Sequence, residues 1–208
     1  MELIHTNKKS PDICPDFFIF IARSGKIGYD EDMEKPNYKN GSIVNLMSSI
    51  GGAFGVKSPY GELALLSSAE LKDVKNVVLI VLDGLGYEFL KNKESVLHEG
   101  LRGKITSVYP PTTAAAITTF TTGLAPQQHA VTGWFMHLKE IGTVSTILLF
   151  RPRAGGLPFS SQEIYVDDIL DIETIAERMS ADAFEINRND IVDSDYNKAS
   201  ARGKTVLG

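Results

Sequence analysis

The run VVLIVL, Val77 to Leu82, ending in Asp83-Gly84-Leu85-Gly86, constrains the fold more than any other stretch of the chain. An unbroken, largely β-branched run of this length reads as a strand covered on both faces, and the glycines mark where strand gives way to turn. A strand covered on both faces needs layers on either side. The downstream pattern supplies them: YEFLKNKESVLHEG, KITSVY, TAAAITTFTTG, TVSTILLF and DIETIAERM alternate helix-like and strand-like segments. This alternation predicts an α/β fold, a mainly parallel sheet flanked by helices. In open sheets of that kind ligands bind outside the carboxyl ends of the strands. Asp83 and the Thr112-Thr113 pair both fall at such ends and are expected to face one crevice.

Residues 1–41 read as a partly irregular N-terminal arm, and residues 42–208 as the N-terminal part of the α/β domain. Within the arm only Phe17 to Ala22 is strongly apolar, and DEDMEKPNYKNG, Asp30 to Gly41, reads as a solvated loop. Ser42 is placed to cap a helix through Ile43, Leu46, Met47 and Ile50, with Gly51 and Gly52 as its stop. A helix is expected to end near Met179, followed by FEINR as a strand and by a polar, helix-like segment. RGKTVLG then lacks a closing element, so the fold reads as truncated at the C-terminus. A sheet cut in this way exposes edges and apolar faces, which predicts homo-oligomers or aggregation.

Composition narrows the function. A formal charge of -5 without a basic run does not suit a binder of nucleic-acid duplexes. Cys14 is the only cysteine, so neither an intrachain disulfide nor a thiolate metal cluster can form, and a reducing, cytoplasmic setting is expected. The run Phe17 to Ala22 is too short for a membrane span or a signal-peptide core, and Asp12 and Asp16 precede it in place of a cationic segment.

Asp83 admits two readings. A carboxylate fixed at a strand end, with glycines leaving room beside it, suits a metal ligand. The same residue type also caps helices in βα loops. Thr112 and Thr113 are equally double: Pro110-Pro111 before Thr-Thr-Ala-Ala-Ala is a good helix start, yet a helix N-terminus also stabilises a phosphoryl group. A threonine hydroxyl becomes a competent nucleophile when a base or metal lowers its pKa.

Taken together, Asp83, Tyr109-Pro110, Thr113, Thr122-Gly123-Leu124, Pro126 and His129 resemble, in order and spacing, the alkaline phosphatase superfamily, and most closely its type I phosphodiesterase/nucleotide pyrophosphatase branch. The resemblance is strong from Asn76 to Trp134 and weaker to about Met179. It implies an alkaline phosphatase-like fold and a metal-dependent phosphohydrolase with two divalent ions, usually zinc, with manganese as the alternative. Small phosphate esters or nucleotides are the implied substrates. It implies Asp83 as a metal ligand, and Thr113 as both metal ligand and the nucleophile that becomes phosphorylated. His129 matches a histidine taken as structural. Trp134 stands where the family's phosphodiesterases often carry an asparagine, and is a candidate substrate contact; Ala130 replaces a glycine.

The later D-x-x-x-H, D-H-G and His elements of the family do not follow Gly123 in this chain. The metal site is therefore incomplete here, and the 208 residues alone are expected to be inactive. The alternative is a non-catalytic fragment or degenerate homologue that binds a partner or anion without turnover. Three further features carry less. Arg151 and Arg153 are phosphate candidates or solvated charges. RGKT, Arg202 to Thr205, lacks the first glycine and the preceding strand of a phosphate-binding loop. Asp167, Asp168, Asp171 and Glu173 suit a helix start.

Overall fold

The computed structural model describes residues 2–6, 17–22 and 34–207. Cys14, Asp12, Asp16 and the first residues of the acidic loop at Asp30 lie outside them. The elements in chain order are β1 (Glu2–Thr6), β2 (Phe17–Ala22), α1 (Ile43–Ala53), α2 (Ser68–Leu71), β3 (Val78–Asp83), α3 (Tyr87–Leu90), α4 (Val96–Glu99), β4 (Leu101–Lys104), α5 (Thr113–Thr122), α6 (Pro126–His129), β5 (Phe135–Leu138), β6 (Thr143–Thr146), β7 (Arg151–Pro152), α7 (Ile175–Arg178), β8 (Ala183–Ile186), α8 (Asn189–Val192), α9 (Asp195–Ser200) and β9 (Lys204–Leu207). None of the described helices is long and apolar enough to cross a membrane.

The apolar run around Val77 forms β3, the edge of a four-stranded sheet of order β3-β2-β1-β4. The sheet is mixed, which corrects the expectation of a mainly parallel one. Only β2 and β3 pair in parallel, whereas β1 pairs antiparallel with both β2 and β4. It follows that β2, β3 and β4 point the same way and β1 is wedged between them in the opposite sense. The βα alternation read from the sequence governs strand direction; adjacency is decided by a five-residue strand from the N-terminal arm, too short to show a period. The remaining strands form an antiparallel β5-β6-β7 sheet and a parallel β8-β9 pair.

Local expectations shift in the same way. TVSTILLF is strand only to Thr146, after which Ile147–Leu149 turn as a 3-10 helix and carry Ile147 and Leu148 into the core. KITSVY contributes only Lys104 to β4. The helix within DIETIAERM is confined to α7, started by the Thr174 hydroxyl, which accepts from the Glu177 N–H (3.1 Å). RGKTVLG ends in β9, which pairs with β8.

Helix α1 follows its predicted cap. Asn45 Oδ1 accepts from both the N–H (3.0 Å) and the hydroxyl (2.7 Å) of Ser42, and Ile43, Leu46, Met47 and Ile50 form the buried stripe. The helix does not stop at Gly51-Gly52 but runs to Ala53. A Cβ on Gly51 would come within 2.8 Å of Ile175 Cδ1, so this glycine serves close packing against α7 and not termination.

Two cores meet on α5. Ala115 and Ala116 pack with the α1 stripe, Ile105, Val108 and Ile175. Ala114 packs with Val131, Leu138, Ile147, Phe150, Phe159 and Tyr196. Its small residues let both layers approach closely, and two of its buried threonines are satisfied within the helix: Thr118 donates to Ala114 O (2.7 Å) and Thr122 to Thr118 O (2.8 Å). Helix α5 is thereby held on two sides, with its N-terminus directed away from its Gly123 end.

Candidate active site

Asp83 closes β3, and Gly84 turns the chain away with φ +80 and open space around it. The cap of the following helix is Gly86, so Asp83 is not used for capping. Further along the chain, Thr112 takes the N-cap of α5, its hydroxyl accepting from Ala115 N–H (3.2 Å) and donating to Thr132 O (3.2 Å). Thr113, the first helical residue, is left with its hydroxyl turned to the strand end. Thr113 Oγ1 donates to Asp83 Oδ2 at 3.0 Å. Asp83 is exposed and Thr113 half-buried, so the pair is open to solvent.

The helix start adds a second feature. Ala115 N–H is used by the cap and Ala116 N–H by the Thr112 carbonyl (3.0 Å). The N–H groups of Thr113 and Ala114 have no acceptor among the described residues. Two unpaired donors at the positive end of a ten-residue helix, beside a hydroxyl, form an anion-receiving corner.

The other sequence candidates have their own places in the fold. Trp134 lies three-eighths exposed just before β5, two residues from Thr132, and its carbonyl accepts from Ile147 N–H (2.9 Å). His129 is buried: its Nδ1 accepts from Val131 N–H (3.1 Å) and Nε2 lies 3.2 Å from Thr119 Oγ1. Burial pushes its pKa down to about 4, so the ring is neutral at neutral pH and held by the fold. Arg151 lies in β7 and Arg153 just beyond it. The acidic run works in its own loop: Asp168 accepts from Tyr165 N–H (2.8 Å) and Asp167 pairs with Arg202 (2.9 Å). RGKT holds no phosphate-binding turn; Gly203 packs against the backbone of α7, and Lys204 pairs with Glu185 (2.6 Å).

Sequence reading missed the residues that hold α5 in place. Arg178 donates to Thr122 O (2.8 Å) at the helix C-terminus, where a cation and spare carbonyls suit each other. Tyr196 reaches Thr118 Oγ1 at 2.6 Å. These contacts span 56 and 78 residues, so no local period announces them. A shallow hollow lined by Met47, Val56, Lys57, Gly123, Leu124 and Arg178 lies at that same C-terminal end of α5, away from Thr113.

The donor set is too small for the implied metals. Asp83 and Thr113 bring two oxygens together, whereas a catalytic zinc takes about three protein ligands. Among the described residues there is no group of three or more His, Cys, Asp or Glu able to hold an ion. The described residues thus do not complete a metal centre.

No curated protein and no solved structure matches the chain. The family model for type I phosphodiesterase / nucleotide pyrophosphatase does match, over residues 77–147, from β3 through β6. That segment contains both Asp83 and Thr113, and over it the chain is similar to the type I phosphodiesterase / nucleotide pyrophosphatase family.

Proposed function

We propose that this chain carries the nucleophile side of a phosphoric ester hydrolase acting on phosphodiesters or nucleotide pyrophosphates. The observation that carries the proposal is the 3.0 Å hydrogen bond from Thr113 Oγ1 to Asp83 Oδ2 at the start of α5. A carboxylate that accepts from a hydroxyl holds its proton away from the attacking lone pairs, so Thr113 is oriented before substrate arrives. The phosphoryl oxygens are received by the N–H groups of Thr113 and Ala114. Attack by Thr113 Oγ1 on phosphorus breaks the bond to the leaving oxygen and gives a phosphothreonine, which water then hydrolyses. Trp134 lines the path of the leaving group.

Two divalent ions, zinc or manganese, belong to the proposal because the resemblance implies them, with Asp83 and Thr113 as two of their ligands. The other ligands come from groups beyond the described residues. The substrate is a small phosphate ester or nucleotide, the compartment cytoplasmic, and self-association through exposed sheet surface accompanies the 208-residue form.

A second reading is favoured by the two-donor site itself: the 208 residues alone form a non-catalytic binding module. Hydrolysis of bis(p-nitrophenyl) phosphate in zinc or manganese separates the two, assayed on the 208-residue chain and on the protein as its own cells make it. The hydrolase reading predicts turnover by the native protein that Thr113→Ala abolishes. Absence of turnover in both leaves the binding module.

A further inference from the structure

The solvent face of the β5-β6-β7 sheet carries cations that folding does not use. Its register sets Phe135 opposite Thr146, His137 opposite Val144 and Arg151 opposite Thr146, and directly opposed residues share a face. Arg153 joins them: its N–H donates to Val144 O (2.9 Å), and its guanidinium lies 4.4 Å from the centroid of the Phe135 ring. The other face, with Leu138 and Ser145, is buried. On the outer face Phe135 is 47% exposed, and His137, Arg151 and Arg153 are exposed with it.

Elsewhere in the molecule arginines are matched. Arg102 pairs with Glu70 (2.8 Å), Arg202 with Asp167 (2.9 Å), and Arg178 holds the Thr122 carbonyl (2.8 Å). Among the described residues neither Arg151 nor Arg153 has a carboxylate partner. Acids are not scarce, since the chain has 26 against 21 basic residues. Two like charges two residues apart on one face repel each other, and nothing in the packing accounts for leaving them together. A guanidinium laid over an aromatic ring keeps its N–H edge available for a forked contact with an oxyanion. Just beyond Arg153 the chain passes through Gly155 and Gly156, at φ +93 and +116, with open space where a Cβ would stand. Backbone is thus bare beside the cations.

We propose that this face is a binding site for a multiply charged oxyanion of the polyphosphate class, with Arg151 and Arg153 as the cationic donors and Phe135 as the platform that fixes Arg153. The site adjoins the Thr113 corner without depending on it. Thr132, whose carbonyl accepts from Thr112, is three residues before Phe135, a reach of at most about 11 Å of chain.

Trp134, the chain's single tryptophan, precedes Phe135 and reports occupancy. Inorganic pyrophosphate is titrated into the 208-residue protein in metal-free buffer at constant ionic strength, following Trp134 fluorescence and, in parallel, calorimetric heat. The site predicts saturable binding that weakens at least tenfold in the double variant Arg151→Gln/Arg153→Gln and is unchanged in the double variant Lys91→Gln/Arg102→Gln. The second variant removes the same two charges from another part of the surface and so controls for net charge. Failure to saturate, a loss under tenfold in Arg151→Gln/Arg153→Gln, which would put the anion at the Thr113 corner or on general surface charge, or an equal loss in Lys91→Gln/Arg102→Gln overturns the proposal.

Discussion

The phenol of Tyr196 and the hydroxyl of Thr118 lie 2.6 Å apart in a buried contact that fastens α9 to α5, the helix that begins with Thr113. Thr118 already donates its proton to Ala114 O, so Tyr196 is the donor. Burial raises the phenol pKa to about 12, and the group stays protonated throughout the neutral range. Tyr196→Phe removes one buried hydrogen bond while keeping the ring, and should cost about 1 kcal/mol. Tyr196→Ala also opens a cavity and should cost about 3 to 5 kcal/mol. Urea unfolding of the two variants checks the difference.

His129 sets an acid limit on the same helix. Its folded pKa of about 4 lies below the ordinary 6.5, so the unfolded chain takes up a proton that the folded chain refuses. Stability is therefore flat above pH 6.5 and falls as the pH drops from 6.5 toward 4, by about 3 kcal/mol in all at about 1.4 kcal/mol per pH unit. An NMR titration of the His129 ring should give a midpoint near 4; a midpoint near 6.5 would contradict the burial.

Asn45 ties two other segments to the start of α1. Besides accepting from Ser42, its Nδ2 donates to the carbonyls of Tyr38 and Gly61 at 2.9 Å each. Asn45→Ala strands the buried N–H and hydroxyl of Ser42 and frees the two part-buried carbonyls, and should cost about 2 to 3 kcal/mol, whereas an exposed cap of the same kind is worth about 1. Thermal melts of Asn45→Ala beside Ser67→Ala, whose cap is exposed, test the ratio.

How much of this was legible in the sequence varies with range. The strand at Val77, the Ser42 cap, the helix after Pro111 and the end of α7 near Met179 follow from local pattern and appear where expected. Asp83 and Thr113 were singled out by residue type and spacing, and the fold brings their side chains together. Residue type alone leaves Thr112 and Thr113 equal, because both are good caps; the resemblance points to Thr113, and the partner at Ala115 N–H makes Thr112 the cap. Sheet order was not legible either: β1 enters between β2 and β4 through long-range pairing that a five-residue strand cannot encode by itself. Arg153 reads from the sequence as a phosphate candidate or a solvated charge, and its contact with Phe135 depends on the hairpin register.

If Thr113 takes up the phosphoryl group, that group is on its side chain during turnover. The direct measurement is mass spectrometry of the protein as its own cells make it, quenched during turnover of a phosphodiester in the presence of zinc or manganese. The expected result is a phosphoryl group on Thr113, with Thr113→Ala unlabelled and reduced in turnover by at least a hundredfold, and Asp83→Asn weakly labelled. Turnover that persists undiminished in Thr113→Ala, or a label on any other residue, rules Thr113 out as the nucleophile.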